Sequence, residues 1–371
     1  MKNTSGWAGH EERRLGVLFC LMLLFFYPEL IFSKEIPADM TEAIERCAAE
    51  KDKDERLACY DNLSKRTGPA AIVNAAEPDA EKQHKPVHRI SMMEKHWDLD
   101  EESRKNAPLV QWHNPNYFLF AAYNNTPNKE TMLDVDPTAK PQNTEAVFQL
   151  SGKLRPLPDD FFGKKLDFWL GYTQISFWQL YNSAFSAPFR DTNYAPEGFF
   201  TYRTNYDVLD LNLMNLRIVN AGFIHQSNGR SRPLSRSWNR LFTEFGFEKV
   251  FDKEREEDRN EFDLFVKLWY RLPENSQNDD NPDIEKYMGH GEISGIYYWK
   301  DYRFGIMWRN NLRTADNKGA LQLDLSVPLS AFNDKISFYI QYFNGYGESL
   351  LDYNSSSNRI SAGIMITDWG L

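Results

Sequence analysis

The stretch GFIHQSNGRSRPLSRSWNRLF places His225 and Ser227 two residues apart and Asn239 twelve beyond Ser227. An imidazole, a hydroxyl and a carboxamide are the parts of an activated serine: a base, a nucleophile and a group that orients the base. Residues two apart on a β-strand share a face. His225 and Ser227 would then share a face with Val219, Ala221 and Phe223, and Asn239 with Leu241, Thr243, Phe245 and Phe247. These faces are apolar, an odd place for a site bathed in water. They suit chemistry only where the surface meets lipid.

Other chemistries are disfavoured. No GxSxG elbow exists, because His225 stands where its first glycine would be, so a soluble α/β-hydrolase is not expected. No phosphate-binding loop and no closely spaced His/Cys zinc cluster is present. The net charge is −10 and no nucleic-acid partner is expected. Taken singly, His225 and Ser227 are ordinary rim polar residues, and the Ser, Asn, Gly and Arg between the segments make a turn. The surrounding elements decide between these readings.

Those elements repeat with period two from Asn116 onward. Leu264, Val266, Leu268 and Tyr270 alternate with Phe265, Lys267, Trp269 and Arg271, and Leu321, Leu323, Leu325 and Val327 alternate with Gln322, Asp324 and Ser326. About twelve such segments begin near Phe118, Ala146, Phe168, Phe199, Leu216, Asn239, Leu264, Lys286, Arg303, Gly319, Ile336 and Arg359. The number is even, as single-chain outer-membrane barrels require. Long links follow the first, third, seventh, ninth and eleventh segments, while short ones such as 300–302 and 330–335 follow even ones. The charged FDKEREEDRNEFD after the sixth is longer than a barrel turn needs and reads as a solvated turn. Trp238, Arg240, Glu244 and Glu248 form the sixth segment's polar face, so that face is the lumen and Asn239 points outward. With odd strands running outward, Ser186, the His225/Ser227 pair and Asp280 share one rim. The fold class is therefore all-β, a twelve-stranded antiparallel transmembrane barrel.

Before the barrel, Arg13 and Arg14 precede an apolar run from Leu15 to Phe26, expected to be a cleaved export signal over residues 1–33. Residues 34–67 suggest two short helices around KDKDE, stapled by a Cys47–Cys59 disulfide that an oxidising compartment permits. Residues 68–105 read as an Ala-, Pro-, Glu- and Lys-rich linker, and 106–371 as the barrel.

HQSNGRSRPLSRSWNR, NSAFSAPFRDTNY, NPDIEKYMG and GYGESLLDYN closely resemble stretches of outer-membrane phospholipase A. The resemblance covers roughly Asn106 to the C-terminus. It implies a barrel in the outer membrane of a Gram-negative bacterium that hydrolyses phospholipid acyl esters (phospholipase A1 and A2 and lysophospholipase activities). The enzyme would require Ca2+ and act as a homodimer, with its site on the outer-leaflet side. Matched residue by residue, the resemblance puts the nucleophile on Ser227, the general base on His225 and the orienting group on Asn239, with an oxyanion donor near Gly229. Calcium oxygens of the dimer site fall on the backbone of Ser186 and Arg230 and the hydroxyl of Ser235, and a dimer-interface glutamine on Gln174. Asp280 matches a ligand of a second calcium site, but Arg232 stands where that site's other carboxylate is expected. An arginine repels calcium, so only the dimer-type ligands are intact. The alternative is a non-catalytic barrel, a narrow pore or structural or adhesive protein that keeps the loop shape. Bulky lumen residues Trp238, Phe242, Trp269 and Tyr339 argue against a wide channel.

Overall fold

The computed structural model describes residues 47, 48, 52, 53, 56, 57, 59 and 90–367, apart from 134–137, 139, 209–212, 252–258 and 331–334. The chain divides into two units, residues 1–87 and 88–371. In the first, Cys47 and Cys59 are disulfide-bonded with their Cα atoms 5.5 Å apart. The expected export signal, most of the hairpin and residues 252–258 of the charged turn after the sixth strand lie outside the described residues.

The second unit is a closed antiparallel barrel of twelve strands. They are β1 (Asn116–Asn124), β2 (Thr144–Leu154), β3 (Leu166–Trp178), β4 (Phe189–Asp207), β5 (Asn215–Ser227) and β6 (Ser237–Val250). The remaining six are β7 (Asn260–Arg271), β8 (Gly291–Trp299), β9 (Tyr302–Asn310), β10 (Gly319–Pro328), β11 (Ser337–Gly345) and β12 (Ser357–Thr367). Each pairs with its neighbour in sequence, and β12 closes on β1 through pairs such as Ile360 with Tyr123. Closure leaves no unpaired edge, which a sheet in hydrocarbon cannot tolerate.

Alternation explains why these segments form strands. Along β7, inward Phe265 and Trp269 are each 6% exposed while outward Leu268 is 40% exposed. On β6, Trp238, Arg240, Phe242 and Glu248 are buried in the lumen, as parity requires. Trp238 packs edge-on to Trp269 at 6.3 Å and Arg240 lies 3.9 Å over the Trp238 ring. Three boundaries differ from expectation. β7 starts at Asn260 rather than near Leu264, so the end of the expected charged turn is strand, paired with β6 and β8. β4 starts ten residues earlier than Phe199, because APEG near its middle hid one long strand. The segment at Lys286 is helical and β8 starts at Gly291.

The larger difference lies before the barrel. Where a linker was expected, Met92–Trp97 forms helix α1 and Glu101–Asn106 helix α2. The Ser91 hydroxyl accepts from the Glu94 N–H and the Glu94 carboxylate accepts from the Ser91 N–H, a capping box that starts α1. Met92, Met93 and Trp97 are buried in one cluster with inward Trp169, Phe199, Ile218, Phe242 and Phe265. α1 therefore sits inside the barrel, at the end opposite the rim that carries His225. Arg217 of β5 pairs with Glu94 at 2.8 Å and with Glu248 of β6, whose carboxylate also accepts from the Ser91 hydroxyl. Lys153 donates to the His96 carbonyl at 2.6 Å and lies 3.6 Å over the Trp97 ring. Arg217→Ala would leave two buried carboxylates without their shared cation. Breaking a buried pair typically costs roughly 3–5 kcal/mol. The expected result is a lower urea midpoint for the folded barrel, read from tryptophan fluorescence.

At the other end, a one-turn helix α3 (Glu130–Leu133) lies in the loop between β1 and β2, and helix α4 (Ile284–Met288) in the loop after β7. Ile284 and Met288 join Leu350 and Tyr353 in the same buried cluster as α1, and the Tyr353 hydroxyl donates to Asp283 at 2.5 Å. Between the two ends lie adjoining cavities of about 270 and 300 Å³ with mixed polar and apolar linings. Tyr339, another bulky lumen residue, is 1% exposed.

Candidate active site

β5 and β6 form a hairpin in which His225 pairs directly with Asn239, Leu241 with Phe223 and Ser227 with Ser237. Phe223 is 39% exposed, while Asn220 and Ile224 on the opposite face are 1% and 7% exposed. His225 and Ser227 therefore stand on the outer wall, at the end of β5. The imidazole Nδ1 lies 2.8 Å from Asn239 Oδ1. Because a carbonyl oxygen only accepts, Nδ1 carries the proton and Nε2 is left with its lone pair free to accept. Ser227 lies one pleat further along the same face. Among the described contacts, no hydrogen bond joins its hydroxyl to His225.

A residue absent from the sequence reading completes this arrangement. Asn239 Nδ2 donates to Glu274 Oε1 at 3.3 Å. Glu274 follows β7, where the Leu272 N–H continues the ladder by donating to the Asn239 carbonyl at 2.8 Å. The signal was available: Leu268, Tyr270, Leu272 and Glu274 share the outward parity, in register with β6.

The connecting loop, residues 228–236, is built around one buried side chain. Asn228, 4% exposed, donates to the Leu234 carbonyl at 2.9 Å and to Asp191 at 3.3 Å, and accepts from the Arg236 N–H at 2.9 Å. Gly229 has φ +64°, a conformation glycine adopts without strain, and an added Cβ would meet the Tyr194 ring at 3.1 Å. The Arg230 guanidinium donates to the carbonyls of Phe189 (3.0 Å) and Arg190 (2.7 Å), tying this loop to the start of β4. Asn228→Ala would strand the Arg236 N–H and the Leu234 carbonyl, a loss of roughly 1–3 kcal/mol. The expected result is new tryptic cleavage at Arg230 and Arg236 together with lower turnover.

Ser186 is exposed and caps a short 3₁₀ turn, Ser183–Phe185, after β3 with φ +56°. Ser186, Arg230 and Ser235 thus lie in loops at one rim and offer carbonyl and hydroxyl oxygens, the donors a hard cation such as calcium prefers. Asp280 offers a carboxylate beside them, but Arg232 Nε donates to it at 2.6 Å. Burial nudges the Asp280 carboxyl upward, yet the Ser235 hydroxyl and the Arg232 guanidinium hold it below the usual carboxylate range. A cation already occupies this carboxylate, so Asp280 does not fit a calcium site, whereas the donor types of Ser186, Arg230 and Ser235 do. Gln174 on β3 accepts from the Tyr172 hydroxyl at 3.1 Å, and Tyr172 is 42% exposed on the outer wall. Gln174 shares that outward parity.

Residues 93–366 match the family model described as phospholipase A1. The chain belongs to that family of enzymes. It is similar to the putative phospholipase A1 of Neisseria meningitidis serogroup B, 32% identical over 87% of this chain and 90% of the relative. It is likewise similar to the phospholipase A1 of Escherichia coli K12, 36% identical over 68% of this chain and 80% of the relative. Among solved structures, the calcium-bound dimer of the Salmonella typhi outer membrane phospholipase superposes with a TM-score of 0.63 at 33% identity, covering 76% of this chain and 99% of that one. The Escherichia coli outer membrane phospholipase A gives 0.60 at 35% identity, over 70% and 98%.

Proposed function

We propose that this chain is a calcium-dependent phospholipase A of the bacterial outer membrane, active as a homodimer, with Ser227, His225 and Asn239 carrying the chemistry. The observation that carries the reading is the His225–Asn239 hydrogen bond on the barrel's outer wall, where acyl esters of the outer leaflet lie.

The Ser227 hydroxyl attacks the ester carbonyl carbon while His225 Nε2 takes its proton. The tetrahedral oxyanion forms beside the Gly229 N–H. As it collapses, His225 returns the proton to the departing glycerol oxygen, leaving an acyl-serine. Water, deprotonated by the same Nε2, then attacks the acyl carbon, and the fatty acid leaves as Ser227 regains its hydrogen. Asn239 keeps Nδ1 as the donor throughout. Its neutral amide stabilises the imidazolium less than a carboxylate would, so oxyanion stabilisation counts for more.

Bound calcium would supply positive charge that stabilises the developing oxyanion. Ser186 and Arg230 through their carbonyls and Ser235 through its hydroxyl would hold it. The calcium-bound dimer among the relatives supports both the metal and the assembly, and Gln174 on the outward wall supports a contact between barrels there. A pore finds little support in a lumen filled from both ends, and planar bilayers holding the protein are expected to show no steady conductance.

The test is fatty-acid release from phosphatidylethanolamine by refolded protein in detergent with calcium, with the dimer verified by cross-linking. A folded, cross-linked dimer that releases none overturns the reading.

A further inference from the structure

We propose that Glu274 is a positioning residue that sets the protonation pattern of His225 by fixing which end of the Asn239 carboxamide faces it; this rests on the function proposed above.

A carboxamide has two nearly equal ends. Turned one way, Asn239 offers Oδ1 to His225 Nδ1, so Nδ1 keeps its proton and Nε2 is free to take one from Ser227. Turned the other way, it offers an N–H to Nδ1. The imidazole proton then moves to Nε2, and the ring cannot accept from the serine. Nothing within an asparagine chooses between these, unlike an aspartate, whose two ends both accept.

Glu274 supplies the choice. An ionised carboxylate only accepts, and at 3.3 Å from Asn239 Nδ2 it bonds the NH₂ end and repels the oxygen end. Oδ1 is thereby turned to Nδ1, where it lies at 2.8 Å. The chain holds Glu274 there through the Leu272–Asn239 backbone bond two residues earlier. The negative charge also polarises the amide, so that Oδ1 becomes a better acceptor for the imidazolium that forms during attack. Glu274 restores, at one remove, part of what the neutral amide lacks.

The test is Glu274→Gln in the full-length dimer with calcium, assayed beside the parent and beside Ser227→Ala. The introduced carboxamide can meet either end of Asn239, so the selection is lost while shape is kept. Turnover is expected to fall about ten- to hundred-fold, the factor a hydrogen bond to a charged group is worth, with KM little changed. Nitrogen-15 spectra of the histidines, with His225 assigned by its own variant, should show its proton shifting in part from Nδ1 to Nε2. In an Asn239→Asp background the orienting group has no wrong end, and Glu274→Gln should leave turnover unchanged or raise it by removing a like charge. Unchanged turnover and tautomer in Glu274→Gln overturns the proposal, as does an equal loss in both backgrounds. A parent whose release persists in Ser227→Ala would instead overturn the proposed site itself.

Discussion

Ser227→Ala is expected to lower fatty-acid release on the order of 10⁴–10⁶-fold, the scale seen when the nucleophile of a serine hydrolase is removed. Folding should be untouched. Ser227 is the last residue of β5, its backbone bonds belong to the ladder rather than to its side chain, and its hydroxyl lies on the outer wall, outside the packed lumen. The barrel should therefore keep its heat-modifiable migration and its cross-linked dimer while turnover disappears. His225→Ala should lose as much. The two losses should not add, because the pair acts as a unit. A Ser227→Ala protein that retains more than about a hundredth of parental turnover would exclude Ser227 as the nucleophile, given the scale above.

Calcium removal should have the second-largest effect. Chelation is expected to lower turnover roughly 10²–10³-fold, as when one oxyanion stabiliser is withdrawn, and added calcium should restore it without refolding. The geometry also predicts which substitutions change the response. Asp280 is held by Arg232 at 2.6 Å, so Asp280→Asn should leave the calcium concentration for half-activation where it is. Arg232→Asp frees Asp280 and puts a second carboxylate beside it, so half-activation should move to lower calcium. Titration of release against buffered free calcium checks both, and a strong loss of calcium response in Asp280→Asn would overturn the assignment of ligands.

Most of the wall was legible because strand periodicity is a local property. Phe265, Trp269 and Arg271 facing in, against Leu268 and Tyr270 facing out, needs no knowledge of the partner strand. The same parity put His225, Ser227 and Asn239 outside. What escaped depended on partners distant in sequence. α1 is six residues long and its buried Glu94 pairs with Arg217 of β5, so it shows no clean apolar stripe, although the capping-box residues Ser91 and Glu94 stood in plain view. Glu274 was missed: parity along β7 puts it on the outer face, but its pairing with Asn239 appears only once β7 is aligned with β6 across the sheet. Arg232 stood out in the sequence by its charge alone, whereas its pairing with Asp280 at 2.6 Å depends on a residue 48 positions away.

The alternation of faces along β5 and β6 also limits how such a gene can vary. Lumen and outer wall exchange with every residue, so one extra codon between Arg217 and Ile224 would move His225 and Ser227 to the inside and bring Ile224 and Gln226 to the outer wall. Two extra codons would restore the faces but slide His225 past Asn239. Loops such as 311–318 can change length with far less consequence, whereas the strands that pair His225 with Asn239 admit substitution but no insertion or deletion.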